Sequence, residues 1–196
     1  MSATSPTPSD RQVELLGRAY RHLLERGLGG LSLRPLAAAI GSSPGVLMFL
    51  FGSKDGLIRA LLARARADEL AVLARIRDAE DGRGPRAAAT AVWDWLVAAE
   101  HRALLTLWLQ AYARSLTDPD GPWSGFAADT VRDWLAVLAD VLPAGPAGEP
   151  DRTLLLAVLR GGLLDLLATG DVDRVGAAVH RHLAGLPGGS DREDPR

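Results

Sequence analysis

The chain has 196 residues, 47% of them hydrophobic, a net charge of −2 and no cysteine, which excludes disulfides, thiolate metal sites and cysteine nucleophiles. No run of 18 unbroken apolar residues occurs, and the opening MSATSPTPSD lacks the basic start and apolar run of a secretory signal. The expectation is a cytoplasmic protein with no membrane partner.

Residues 1–8 are rich in Ser, Thr and Pro and read as a disordered tail. Ser9 followed by Gln12 has the capping-box form and opens a first helix. Val13, Leu16, Tyr20, Leu23 and Leu24 then recur at helical spacing, and Gly27, Gly29 and Gly30 stop it. Ser32 is expected to cap a short second helix through Ile40, with Pro35 in the first turn, where its missing N–H costs little. Gly41 permits a tight left-handed turn. Ser43 caps a third helix that has Pro44 at its first position and ends at Phe51. Gly52 breaks it. Ser53 caps a longer fourth helix to about Asp81, with Leu57, Ile58, Leu61, Leu62, Ala65, Leu73 and Ile76 as its apolar positions.

After Gly82–Pro85, further helices are expected over about 85–99, 102–116, 124–142, 152–168 and 172–185. Residues 117–122 and 143–150 are loops dense in turn residues, and 188–196 form a polar tail. No alternating strand pattern and no internal repeat appears. The fold class is therefore all-α with about nine helices. A three-helix, helix-turn-helix head occupies 9–52, a connecting helix 53–81 and a larger helical body 82–187.

The chemistry of the head points to a polyanion. Residues 1–66 carry nine basic and four acidic groups, leaving the remainder at −7. Helix, glycine turn and capped helix over Ser32–Phe51 are the parts that place one helix across a DNA backbone and the next in the major groove. Leu36, Ile40, Leu47 and Phe51 would fill the small core between them. Lys54 is the only lysine beside 21 arginines. It sits in a first helical turn, where a cation opposes the macrodipole by roughly 0.3–1 kcal/mol; a bound phosphate would relieve that conflict.

LSLRPLAAAIGSSPGVLMFLFGSKDGLIRALL resembles the DNA-binding region of the TetR family of bacterial regulators. The resemblance covers residues 10–66 and includes the spacing of Gly41, Leu47, Phe51, Lys54 and Leu57. RGGLLDLLATGD (Arg160–Asp171) and LWLQAYARSLTDP (Leu107–Pro119) resemble body segments of the same family, although Gln110 stands where a Glu is common. The resemblance implies a homodimer joined through its last two helices, a ligand pocket in the body, and repression of a double-stranded DNA operator relieved by a small molecule. The expected DNA contacts are Ser32, Arg34, Ser42, Ser43, Pro44, Gly45, Val46, Met48, Phe49 and Lys54. The family often carries Lys-Gly-Thr-Leu-Tyr-aromatic-His-Phe in its recognition helix. Here Pro44, Val46, Met48 and Leu50 replace the lysine, threonine, tyrosine and histidine. Val46 and Met48 can touch thymine methyls, so recognition is expected to be weak or A·T-leaning.

In the body, Trp93, His101, Trp108, Gln110, Tyr112, Phe126 and Trp134 are candidates to line a pocket for a largely apolar effector. Leu154–Leu167 is apolar on nearly every side, so it is expected to face the core on one side and a second subunit on the other. The dimer contacts are then Leu155, Leu159, Gly162, Leu163 and Leu166, with Val175, Val179 and His182 from the last helix. Arg160 and Asp165 lie five apart and do not pair within one helix; a dimer partner or rim is expected instead. His180 and His182 point to different sides, and no zinc-protease, phosphate-loop, dinucleotide or nucleophile-elbow motif occurs. No enzyme, cofactor or metal is expected. The competing reading is a helical protein- or ligand-binding module whose apolar third helix no longer reads DNA.

Overall fold

The computed structural model describes residues 9–28, 31–79, 84–142 and 148–186. The two expected tails, Gly29–Gly30, the break at 80–83 and the loop residues 143–147 lie outside them, as do the side chains of Leu73 and Ile76. The described residues form nine α-helices and no strand. They are α1 Asp10–Arg26, α2 Leu33–Ala39, α3 Pro44–Phe51, α4 Lys54–Ala79, α5 Pro85–Val97, α6 Arg102–Thr117, α7 Phe126–Val141, α8 Gly148–Thr169 and α9 Val172–Leu183, with one 3₁₀ turn at Ala99–His101. No single described helix is long and apolar enough to cross a membrane.

The chain divides into two compact units. One comprises the chain up to Ala67 together with Thr106–Ala127, and the other Asp68–Leu105 with the chain from Ala128 on. In the first unit, α1 turns Leu15, Ala19, Tyr20 and Leu23 into the core. Val13, placed on that face by its spacing, is instead 55% exposed. The period alone does not fix the phase of the buried face, and the Leu15–Ala19–Leu23 stripe wins it. Ser9 caps α1 by accepting from Gln12 N–H at 3.2 Å. The capping box is only half formed, because the Gln12 side-chain amide donates to Leu50 O at 3.0 Å and ties α1 to the end of α3. Arg18 Nη1 donates to Ile40 O at 3.2 Å and so holds the end of α2.

In the second unit, α8 packs on α9 and both meet α5. Gly162 makes this approach possible. A Cβ there would lie 2.8 Å from Val179 Cγ2 and 3.0 Å from the Trp93 ring. Helix α8 begins at Gly148, four residues before the expected start, with Pro150 in its first turn. Proline lacks only an N–H that has no intrahelical partner there, and Glu149 and Asp151 favour the positive end of the helix dipole.

Candidate nucleic-acid interface and effector cavity

The axes of α2 and α3 bend by 102°, within the range of a helix-turn-helix. Gly41 makes the corner with φ +70°, a conformation that suits glycine. Leu36, Ile40 and Leu47 are buried at the junction and Phe51 is half-buried. Ser43 caps α3 by accepting from Val46 N–H at 3.3 Å. Ser53 caps α4 by accepting from Gly56 N–H at 2.9 Å. Ser32 precedes α2 in extended backbone, but its side chain makes no capping bond, contrary to expectation.

The α3–α4 corner is tighter than its sequence suggests. A Cβ on Gly56 would stand 2.0 Å from Phe51 O, so only glycine fits. The corner fixes where Lys54 leaves the surface. Lys54, Arg34, Ser32, Ser43 and Gly45 are exposed, and Pro44 is half-buried. The Ser42 hydroxyl is buried without a hydrogen-bond partner. On α3 the outward face is apolar: Val46 is 39% exposed, Met48 42% and Phe49 87%. No Asp or Glu occurs between Arg26 and Lys54.

The first unit also contains an apolar cavity. Leu23, Leu28 and Leu31 of the head form one wall, and Ile58, Leu61, Leu62 and Ala65 of α4 form another. Leu107, Trp108, Ala111, Trp123 and Phe126 close it. The space it encloses is narrow, with room for little more than a single water molecule. Of the seven candidate ligand contacts, Trp108 and Phe126 line this cavity. Gln110 is not among its lining residues. Its Oε1 accepts from Leu28 N–H at 2.7 Å and holds the turn after α1. Tyr112 packs its ring on Trp108, centroids 5.1 Å apart.

The other candidates lie in the second unit. Trp93 is fully buried against Gly162. His101 stacks on Trp95 at 4.6 Å, and its Nδ1 donates to Trp95 O at 2.8 Å. Trp134 Nε1 donates to Glu69 Oε1 at 2.8 Å, with Glu69 itself buried. Glu69 was not singled out in the sequence. Its place four residues after buried Ala65, on the inner face of α4, is the signal that marks it.

Leu155, Leu159, Leu163, Leu166, Val175 and Val179 are all buried by the chain's own packing. Gly162 faces Val179 and Trp93 of the same chain, and His182 is half-buried. The outward stripe of α8 is Leu154, Ala157, Gly161, Leu164 and Ala168, continued by Val172. Asp165 is taken by Arg174 of α9, which donates to both carboxylate oxygens at 2.8 Å. The Arg174 hydrogen bonds hold the Asp165 carboxyl below its ordinary value of 3.8. Among the described residues, no group of three or more His, Cys, Asp or Glu is placed to hold a metal ion.

Comparison with known proteins agrees with this arrangement. The family described as "Bacterial regulatory proteins, tetR family" matches residues 15–61, which span α1 to the first half of α4. The HTH-type transcriptional regulator BetI of Burkholderia thailandensis is 31% identical over 115 residues, 56% of each chain. BetI of Burkholderia mallei is 30% identical over the same shares. The chain thus matches about half the length of these curated relatives. Among solved structures, the multidrug binding protein EbrR complexed with imidazole is 26% identical over 91% of this chain and 90% of its own, with a TM-score of 0.65. Reduced NemR of E. coli superimposes over 92% of this chain and all of its own with a TM-score of 0.73; at 17% identity that likeness speaks to the fold alone. Both BetI relatives are HTH-type transcriptional regulators. Motif, helix order and sequence similarity converge on the head: residues 15–61 match the family described as "Bacterial regulatory proteins, tetR family", and the chain shares its fold with EbrR.

Proposed function

We propose that this chain is a cytoplasmic, homodimeric, DNA-binding regulator of transcription, a repressor released from its operator by a small, largely apolar molecule. The observation that carries the reading is the 102° bend of α2 against α3, with exposed Arg34 and Lys54 flanking α3 in sequence and no acidic residue from Arg26 to Lys54. Cations so placed neutralise phosphates, and a helix so bent enters a major groove. The cavity in the same unit supports the effector half of the reading. Its walls are apolar, and one of them (Leu23, Leu28 and Leu31) belongs to the head, so a molecule that widens it moves the head directly. EbrR, which shares the fold, has been solved with imidazole and with proflavin. For the dimer, the outward stripe Leu154–Ala157–Gly161–Leu164–Ala168 supplies one self-complementary face.

The test is selection of bound duplexes from a random pool, followed by affinity at two salt concentrations. The expected result is a two-fold-symmetric site with half-sites about 34–36 Å apart or a small multiple of that, bound more weakly as salt rises. Replacing Arg34 or Lys54 by Ala should weaken binding to all sequences alike and lower the salt slope by about one per subunit. A failure to enrich any duplex would favour the helical binding module instead.

A further inference from the structure

The recognition helix raises a question of chemistry. Base pairs are ordinarily told apart in the major groove by hydrogen bonds from side chains to base edges. Helix α3, Pro-Gly-Val-Leu-Met-Phe-Leu-Phe, has no side-chain hydroxyl, amide, carboxylate or cation at any position. The hydroxyl that precedes it, on Ser43, lies outside the helix and caps it by accepting from Val46 N–H, and that of Ser42 is buried. The face that α3 turns outward is Gly45, Val46, Met48 and Phe49, with Phe49 87% exposed and Leu47 fully buried behind it. An exposed Phe flanked by Val and Met is costly in water unless something apolar covers it. The surroundings say what that is. The first charge on either side in sequence is positive, Arg34 before α3 and Lys54 after it, both exposed; exposed Asp55 follows Lys54, and the flanking pair fits an anionic surface with apolar groups inset. In the DNA major groove the one apolar group on a base edge is the C5-methyl of a pyrimidine.

We propose that this protein reads DNA by the C5-methyl groups of pyrimidines, with Phe49 as the principal specificity determinant and Val46 and Met48 beside it. This rests on the DNA-binding reading above. The methyl is the recognised group whichever pyrimidine carries it, so 5-methylcytosine substitutes for thymine where unmodified cytosine does not. Phosphate contacts by Arg34 and Lys54 supply the sequence-independent part of the affinity.

The protein is titrated with a duplex selected from the random pool, and with the same duplex synthesised with deoxyuridine in place of thymidine. The two differ only by methyl groups. The expected loss is roughly fourfold for each methyl buried, hence at least about tenfold for a symmetrical site that presents one per half-site. A third duplex carries cytosine–guanine pairs at the sensitive positions and a fourth carries 5-methylcytosine–guanine; the fourth should recover most of what the third loses. Phe49→Ala should weaken binding to the thymidine duplex while erasing the difference between thymidine and deoxyuridine duplexes. Because Phe49 is exposed, the variant keeps its thermal midpoint. Equal binding of thymidine and deoxyuridine duplexes overturns methyl reading and leaves DNA binding intact. Failure to bind any duplex above the affinity for random DNA overturns both.

Discussion

Three glycines are separated by what a methyl group would meet. At Gly17, within α1, a Cβ finds no atom within 4 Å. Gly17→Ala should therefore stabilise the fold by about 1 kcal/mol, the helix-propensity difference. At Gly56 the same methyl would meet the Phe51 carbonyl at 2.0 Å, and at Gly162 it would meet Val179 and Trp93. Ala at either position should cost roughly 1–3 kcal/mol, despite its better helix propensity. Urea unfolding of the three variants checks the order; a stabilised Gly56→Ala would mean that the α3–α4 corner is looser than described. Gln110 belongs to the same scale. Its replacement by Ala leaves the Leu28 N–H without its acceptor, at a cost of about 1–3 kcal/mol, and amide exchange at Leu28 should accelerate.

At the scale of the element, the Asp165–Arg174 pair joins α8 to α9 on the surface. The carboxyl is held below its ordinary 3.8 by Arg174. The pair therefore stabilises the fold above that value, and the contribution disappears as pH falls through the lowered one. Exposure and screening keep it small. Arg174→Ala should return the Asp165 carboxyl to its ordinary range in an NMR titration, with little change at neutral pH; an unmoved titration would show that Arg174 is not its cause. The same scale explains what was legible in the sequence. Helix ends in the head were marked by Ser9, Ser43 and Ser53, whose hydroxyls do cap, and by Gly41 and Gly52 at positive φ. The head and its exposed α3 could thus be read directly. Faces were harder. Leu154–Leu167 is apolar all round, so period could not tell the inner stripe (Leu155, Leu159, Leu163, Leu166) from the outer one (Leu154, Leu164). The partners of Gln110, Trp134 and Asp165 lie 82, 65 and 9 residues away in sequence. No local spacing encodes such contacts, so the sequence offers Gln110 and Trp134 only as candidate ligand groups and places the partner of Asp165 across a dimer or at its rim.

For the whole molecule, the proposed dimer rests on the outward stripe of α8. Ala157→Glu with Leu164→Glu puts like charges on the proposed two-fold face, and sedimentation should then show monomers where the native chain is expected to show dimers. The fold should survive, since both positions are exposed, and affinity for a two-half-site duplex should fall far more than affinity for a single half-site. Dimers that persist would move the interface elsewhere. The cavity has a practical consequence. Trp108 and Trp123, two of the five indoles in the chain, form part of its wall. Anything that enters replaces the surroundings of both rings at once, changing the colour and yield of their ultraviolet emission. The protein carries its own optical reporter of occupancy, and a chemical library can be screened against it in a cuvette before any operator is known.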